Sequence, residues 1–377
     1  MFEERLKQKL AVQKEQGLYR NPPEVSEGDG RTLKVAGRTL INFASNDYIG
    51  LGRSETLRKA ASDAFMRYGT SSSSSRLVSG NASVIREAEK AYAAYFGYEE
   101  ALFFPSGYQA NLAILSTLFG PDEMLLFDKH VHASTVKGMQ LGSAPFRGYR
   151  HNSMGHLEKR IKGATGNPVV VTESLFSMDG DTPPLAELAT LKETHGFLTV
   201  VDEAHAYGAL GDGGRGIARE VADVALGTFG KAMGLFGAFV LLPSLYREYL
   251  LNFASPLIYT TALPEAHAVT ALAVLSEVEQ ADAQRAHLAH LSRRLTSLLT
   301  DRGMTVCGEA HILAVQIGSE ERAHDLVKKL FDQGYFAFTA RFPTVPMGQA
   351  IIRLSLTANH TEEDLEAFSD TLYRLMD

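Results

Sequence analysis

A lysine hemmed by glycines and apolar residues stands at position 231, in Thr228-Phe-Gly-Lys231-Ala-Met-Gly234. Burial lowers the pKa of an amine and makes it a nucleophile; the plainer alternative is a surface lysine in a Gly-rich loop. Asp202-Glu203-Ala204-His205 follows the apolar run Leu198-Thr-Val-Val. A carboxylate closing a buried strand is costly unless it meets a cation, and His205, three residues on, can lie over the same place. His130 and His132 occur in Asp128-Lys-His-Val-His-Ala-Ser134. They can bind metal, stack on a planar ligand or cap a helix. No His-rich run supplies a further ligand, so no metal is assigned. Pro105-Ser106-Gly107-Tyr108 leads from an apolar run into a helix read from Asn111 to Phe119. Such a turn offers free N–H groups and a positive dipole end to a phosphate. Glu173 opens a polar loop reaching Ser177 and Asp181, where Ser177 can donate to a ligand oxygen. Arg353 interrupts the apolar Ile351-Ile-Arg-Leu-Ser-Leu and calls for an anion, either a bound carboxylate or an internal ion pair.

The elements that must position these residues follow from patterning. Short, non-alternating apolar runs at Ala101, Met124, Pro168, Phe197, Val224 and Ala238 read as strands covered on both faces. Helical segments lie between most of them, for example Leu185 to His195. The expected fold class is α/β: a mainly parallel sheet with helices on both faces, followed by a small α+β domain. The division expected is an N-terminal arm over 1–45, a large domain over 46–264 and a C-terminal domain over 265–377. The arm carries a helical pattern (Phe2, Leu6, Leu10) and a hairpin turning at Ala36-Gly37. The last domain carries a Leu-striped helix through Leu288 and Leu299, strands near Leu313, Tyr335 and Ile351, and a last helix capped by Thr361 and Asp364.

Within 377 residues, 37 basic side chains face 44 acidic ones, a net charge of −7. A protein that neutralises nucleic-acid phosphates leans the other way, so no nucleic-acid partner is expected. No stretch is apolar enough to span a membrane. The single cysteine, Cys307, fits a reducing, cytoplasmic setting. Two motifs mislead. Gly211-Asp-Gly213-Gly-Arg-Gly216 spells a dinucleotide fingerprint but follows a loop rather than a strand. Asp202-Glu-Ala-His205 spells a helicase box without the phosphate loop that must precede it.

At the carboxyl edge of one sheet, a phosphate cradle, a stacking histidine, a buried aspartate and an activated lysine are the set that pyridoxal 5′-phosphate requires. With those residues the sequence resembles the α-oxoamine synthases, pyridoxal-phosphate enzymes of fold type I, along nearly its whole length. The matching stretches include Ser45-Asn46-Asp47-Tyr48, Ser75-Arg-Leu-Val-Ser-Gly80, Ser106-Gly-Tyr108, His132-Ala-Ser134, Phe176-Ser-Met-Asp-Gly-Asp181, Asp202–His205 and Thr228–Lys231.

The resemblance implies that Lys231 holds the cofactor as a Schiff base, Asp202 pairs with its pyridine nitrogen and His132 stacks on its ring. It implies that Ser177 and His205 bond the phenolic oxygen, while Gly107, Tyr108 and Thr228 hold the phosphate. Arg353 would hold the amino acid's carboxylate and Arg20 the far carboxylate of a pimeloyl chain, with Asn46, Thr344 and Arg341 as further substrate-binding residues. The implied reaction is a decarboxylative condensation of a small amino acid with an acyl thioester. Arg341-Phe-Pro-Thr344-Val-Pro resembles the branch that joins L-alanine to a pimeloyl thioester, carried on CoA or a carrier protein. Glycine-, serine- and long-chain-acyl-using branches are the alternatives. A homodimer is implied, with Thr260 or Thr261 reaching the neighbour's phosphate. Two departures bear on the substrate. The usual Gly-rich loop is Thr70-Ser71-Ser-Ser-Ser-Ser75, and bulky Tyr207 follows His205, where it is expected to reshape the pocket.

Overall fold

In this computed structural model, residues 1–16, 18–342 and 344–376 are described. Pro343, inside the Arg341–Pro346 motif, lies outside them. A seven-stranded sheet runs in the order Glu100–Phe104, Ala238–Leu242, Val224–Thr228, Leu198–Asp202, Asn167–Glu173, Glu123–Asp128, Phe146–Tyr149. Ala238–Leu242 is antiparallel to both neighbours, and the remaining pairs are parallel.

Why these runs are strands is visible in where alternate residues go. Val169, Val171 and Val200 pack with the helices Gly107–Thr117 and Ser244–Phe253 on one face. Val170 and Val201 pack on the other with Ser83–Phe96, Glu265–Glu279 and Asp282–Thr300. Both faces are dry, so β-branched side chains serve at every position. Phe146–Tyr149 lacks that signal because it is an edge strand with Phe146 and Arg147 exposed.

The helix read from Asn111 begins instead at Gly107 and ends at Thr117. Ser106 caps it, its hydroxyl accepting from the Gln109 N–H at 3.2 Å. The correction is functional: Gly107 and Tyr108 now lie in the first turn, where unpaired N–H groups point forward. The leucine-striped helix spans Asp282–Thr300, and a second helix, Glu265–Glu279, precedes it.

The C-terminal strands order as Val306–Cys307, Ile312–Gly318, Ala350–Ser355, Phe338–Ala340, all antiparallel. The last helix, Glu362–Met376, carries the expected reciprocal cap between Thr361 and Asp364. The early hairpin of Thr32–Val35 and Arg38–Asn42 joins this region through parallel pairing with Tyr335–Phe336. No described helix is long and apolar enough to cross a membrane.

One buried charge holds the first helices to the sheet. Glu89 is fully buried, bonds the guanidinium of Arg76, and lies 3.6 and 3.7 Å from Arg86 and Arg247. It also accepts from the Phe103 N–H at 2.9 Å. Glu89→Ala leaves Arg76 buried without a counterion. Chemical denaturation is expected to report a loss of about 3–5 kcal/mol.

Candidate functional site

Carboxyl ends of the parallel strands converge on a cavity of about 200 Å³. Gly107, Tyr108, His132, Ser177, Asp202, His205, Thr228 and Lys231 all line it. Asp202, at the end of a strand, and Lys231, in a loop, therefore face the same space. Asn111, Ser134 and Glu173 line it as well, and the sequence reading gave them no role.

Lys231 is placed by a tight return from Thr228 to the antiparallel strand. The Gly234 N–H bonds the Lys231 carbonyl at 2.9 Å. Gly234 has φ +63° and sits so close to Gly52 that a Cβ would lie 2.3 Å from its nitrogen. Only glycine allows that approach. It presses the lysine loop against the Asp47–Gly52 turn. Burial, with help from the Arg353 charge, lowers the Lys231 amine to about 8 against the pull of Asp202 and Glu173. Lys231 Nζ lies 2.7 Å from Nε2 of His205.

Asp202 ends Leu198–Asp202, and its two oxygens accept from Asn111 Nδ2 and the Ala204 N–H, each at 3.0 Å. Asn111 is one turn beyond Gly107, so the helix that offers its N-terminus also steers the carboxylate. Glu173 pairs in register with Asp202 on the adjacent strand. Burial, then the neighbouring Asp202, raises Glu173 well above the usual carboxylate range. Glu173 accepts from the His132 N–H at 2.6 Å, and His132 Nδ1 is 2.7 Å from the Ser134 hydroxyl. His132 is thereby fixed as the N-cap of Ala133–Leu141, its ring lowered in basicity chiefly by burial. Thr228 Oγ1 accepts from the Gly230 N–H at 3.1 Å.

Arg353, buried within Ala350–Ser355, donates to the Ser177 carbonyl, the Ser355 hydroxyl and, at 3.4 Å, Asn46 Oδ1. None of these acceptors carries charge. Arg20 is exposed in the arm and Thr344 is exposed in its turn, and neither lines the cavity. Arg341 is half-buried at the base of that turn. Thr260 borders a separate small cavity beside Arg76, and Thr261 bridges to Ser75. The serine loop is held by bonds: Ser72 donates to the Ala262 carbonyl at 2.7 Å, and Ser73 takes φ +55°. Tyr207 corrects the expectation made for it. It is buried in the core against Phe96 and Phe239 and does not line the cavity. In the run Gly211–Gly216, Gly216 packs against buried Glu203, which accepts from the Ile217 and Ala218 N–H groups.

A charged histidine packs on the segment that leads to His132. His151 Nδ1 is 2.9 Å from Asp128 and Nε2 is 2.8 Å from Asp181. With a carboxylate on each nitrogen the ring keeps both protons. Burial opposes this charge, but the two carboxylates prevail and raise His151 to about 10. His130 stacks on it at 3.9 Å, and His130, His151 and Asp179 bring ligand atoms within 4.8 Å of one another. The doubly protonated ring has no lone pair for a metal. A raised histidine contributes fully below its ordinary pKa of 6.5 and is lost as pH rises through about 10. Thermal melts are expected to fall across that window, and His151→Gln flattens the fall.

The pocket's donor set suits pyridoxal phosphate: a carboxylate, an amine of lowered basicity, a capped histidine and a helix N-terminus around one cavity. A Cβ on Gly107 would meet Leu226 at 3.8 Å and nothing nearer, so the first turn lies open.

Comparison with known proteins agrees. Residues 38–372 match the family described as Aminotransferase class I and II. An 8-amino-7-oxononanoate synthase of Chlorobaculum parvum is 39% identical over 371 residues, 95% of each chain. Among solved structures, the Sphingomonas wittichii serine palmitoyltransferase superposes with TM-score 0.91 at 30% identity, covering 99% of this chain and 96% of that one. The 8-amino-7-oxononanoate synthase of Francisella tularensis gives TM-score 0.78 at 30% identity over 89% of this chain and 97% of its own. On its fold, its site and these likenesses, the chain belongs to the aminotransferase class I and II family, as a pyridoxal-phosphate-dependent acyltransferase of the α-oxoamine synthase kind.

Proposed function

We propose that this enzyme condenses L-alanine with a pimeloyl thioester, giving 8-amino-7-oxononanoate, CO2 and the free thiol, in the biotin pathway. The observation that carries the amino-acid part is Arg353, a buried guanidinium whose hydrogen bonds go to neutral acceptors beside Asn46 and Ser177. A cation so placed fits an α-carboxylate. The acyl part rests on the names of full-length relatives.

Bound pyridoxal phosphate supplies an electrophilic aldehyde and an electron sink for the substrate's α-carbanion. The chain's own groups do the rest. Lys231 anchors the cofactor through Nζ and moves the proton at the amino acid's α-carbon. Asp202 holds the ring nitrogen's proton. His132 covers one ring face, and Ser177 with His205 orients the phenolic oxygen. The first turn at Gly107 and Tyr108, with Thr228, receives the phosphate. Arg353 and Asn46 orient the amino acid; Arg20, which lies outside the cavity, is assigned the far carboxylate of the acyl chain, with Thr344 and Arg341 as further substrate contacts.

A homodimer completes the reading. The helix Phe2–Glu15 buries no residue, and Leu77, Val78, Phe236 and Tyr259 are exposed. Thr260 or Thr261 then serves the neighbour's phosphate.

Steady-state rates of the loaded enzyme test the substrates. L-Alanine with pimeloyl-CoA or pimeloyl-carrier protein is expected to exceed glycine or serine with acetyl-, succinyl- or palmitoyl-CoA. The likeness to serine palmitoyltransferase favours a second reading. Preference for serine and palmitoyl-CoA would replace the first reading with it.

A further inference from the structure

Tyr48 is completely buried, and its hydroxyl lies 2.6 Å from His205 Nδ1 and 3.1 Å from Asn46 Oδ1. On the far side of the imidazole, Nε2 is 2.7 Å from Lys231 Nζ. The chemistry of these groups gives the chain of bonds one direction. With a midpoint of about 8, the lysine is an ammonium at neutral pH, and an ammonium only donates. Nε2 must then accept. Burial, reinforced by the Lys231 and Arg353 charges, holds His205 well below its usual value, so the ring is neutral with one proton. That proton is on Nδ1 and goes to the tyrosine oxygen. Burial pushes the Tyr48 hydroxyl up to about 12, so it keeps its own proton and passes a bond to Asn46 Oδ1. Arg353 approaches the same oxygen at 3.4 Å.

The surroundings hold the tyrosine in place. The His311 ring packs on the Tyr48 ring, centroids 3.9 Å apart, and burial pushes His311 down to about 3, so this wall is uncharged. The Tyr48 carbonyl accepts from the Ala358 N–H at 2.7 Å, tying the segment to the chain beyond Ala350–Ser355.

We infer that Tyr48 is a positioning residue: its hydroxyl, committed as a donor to Asn46 Oδ1, can only accept from Nδ1, so together with the Lys231 ammonium it holds His205 as the Nδ1–H tautomer and aims the Nε2 lone pair at Lys231. The inference rests on the reading of Lys231 and His205 as the reacting centre.

Its test does not need turnover. In full-length chain labelled with 15N-histidine and freed of cofactor by hydroxylamine, long-range proton–nitrogen correlations separate the two tautomers. The His205 signal is assigned by its loss in His205→Asn. The native chain is expected to show His205 as Nδ1–H, and Tyr48→Phe is expected to shift it to Nε2–H or a mixture, other histidine signals staying put. Nε2–H in the native chain, or an unchanged tautomer in Tyr48→Phe, overturns the inference. The loaded Tyr48→Phe enzyme is expected to lose roughly tenfold in kcat, the worth of about one hydrogen bond, with the amino acid's KM held. An unchanged kcat also overturns it. Absence of turnover in the native enzyme counts against the proposed function, and leaves the tautomer result standing by itself.

Discussion

Lys231→Ala is expected to leave a folded protein that neither turns over nor acquires the visible absorbance of the cofactor-loaded native enzyme. The reason lies in the loop. Gly234 presses against Gly52, which leaves the amine beside His205 and inside the cavity that Asp202 lines. Among the described residues no other lysine lines that cavity, so nothing replaces the covalent anchor or the proton carrier. Loss of a positioned acid–base group alone costs about 10²–10⁴-fold, and loss of the anchor adds to it. Folding should survive, because the substitution removes an amine whose charge burial already disfavours. Absorbance scans and product assays on protein incubated with pyridoxal phosphate check the result.

Asp202→Asn is expected to separate binding from chemistry. The substitution keeps size and shape, yet an amide places one NH2 toward a donor, either Asn111 Nδ2 or the Ala204 N–H. It also removes the carboxylate that would hold a proton on the pyridine nitrogen. Without that proton the ring withdraws electrons weakly, and the α-carbanion loses its stabilisation. A single preorganised electrostatic group of this kind is worth about 10²–10³-fold in kcat. The attachment of cofactor to Lys231 is expected to persist. Steady-state kinetics beside absorbance spectra measure the two effects separately.

The sheet could be read from the sequence because its strands are dry on both faces. Val169-Val-Val-Thr172 and Thr199-Val-Val201 are buried at every position, so no solvent side interrupts them. The edge strand Phe146–Tyr149 has such a side, so its pattern carries no period. Asp202 and Lys231 could be read because each is a polar group in a dry setting. Glu173 closes a buried strand in the same way and gave the same signal, but its role depends on the register that puts it beside Asp202. Tyr48 entered only as part of a matching stretch and without a role, since its partner His205 lies 157 residues away and only the closed fold joins them. Tyr207 misled for a local reason. Its N–H bonds the Glu203 carbonyl in a tight turn, and the side chain packs among Phe96 and Phe239. Proximity in sequence to His205 did not make it a pocket residue.

The central claim is tested most directly by trapping the cofactor where it sits. The native protein, loaded with pyridoxal phosphate, is reduced with borohydride, digested and mapped by mass spectrometry. The account predicts one pyridoxyl-phosphate adduct, on the peptide that contains Lys231, and none in Lys231→Ala. An adduct carried by another lysine, or no adduct in the native chain, would contradict it.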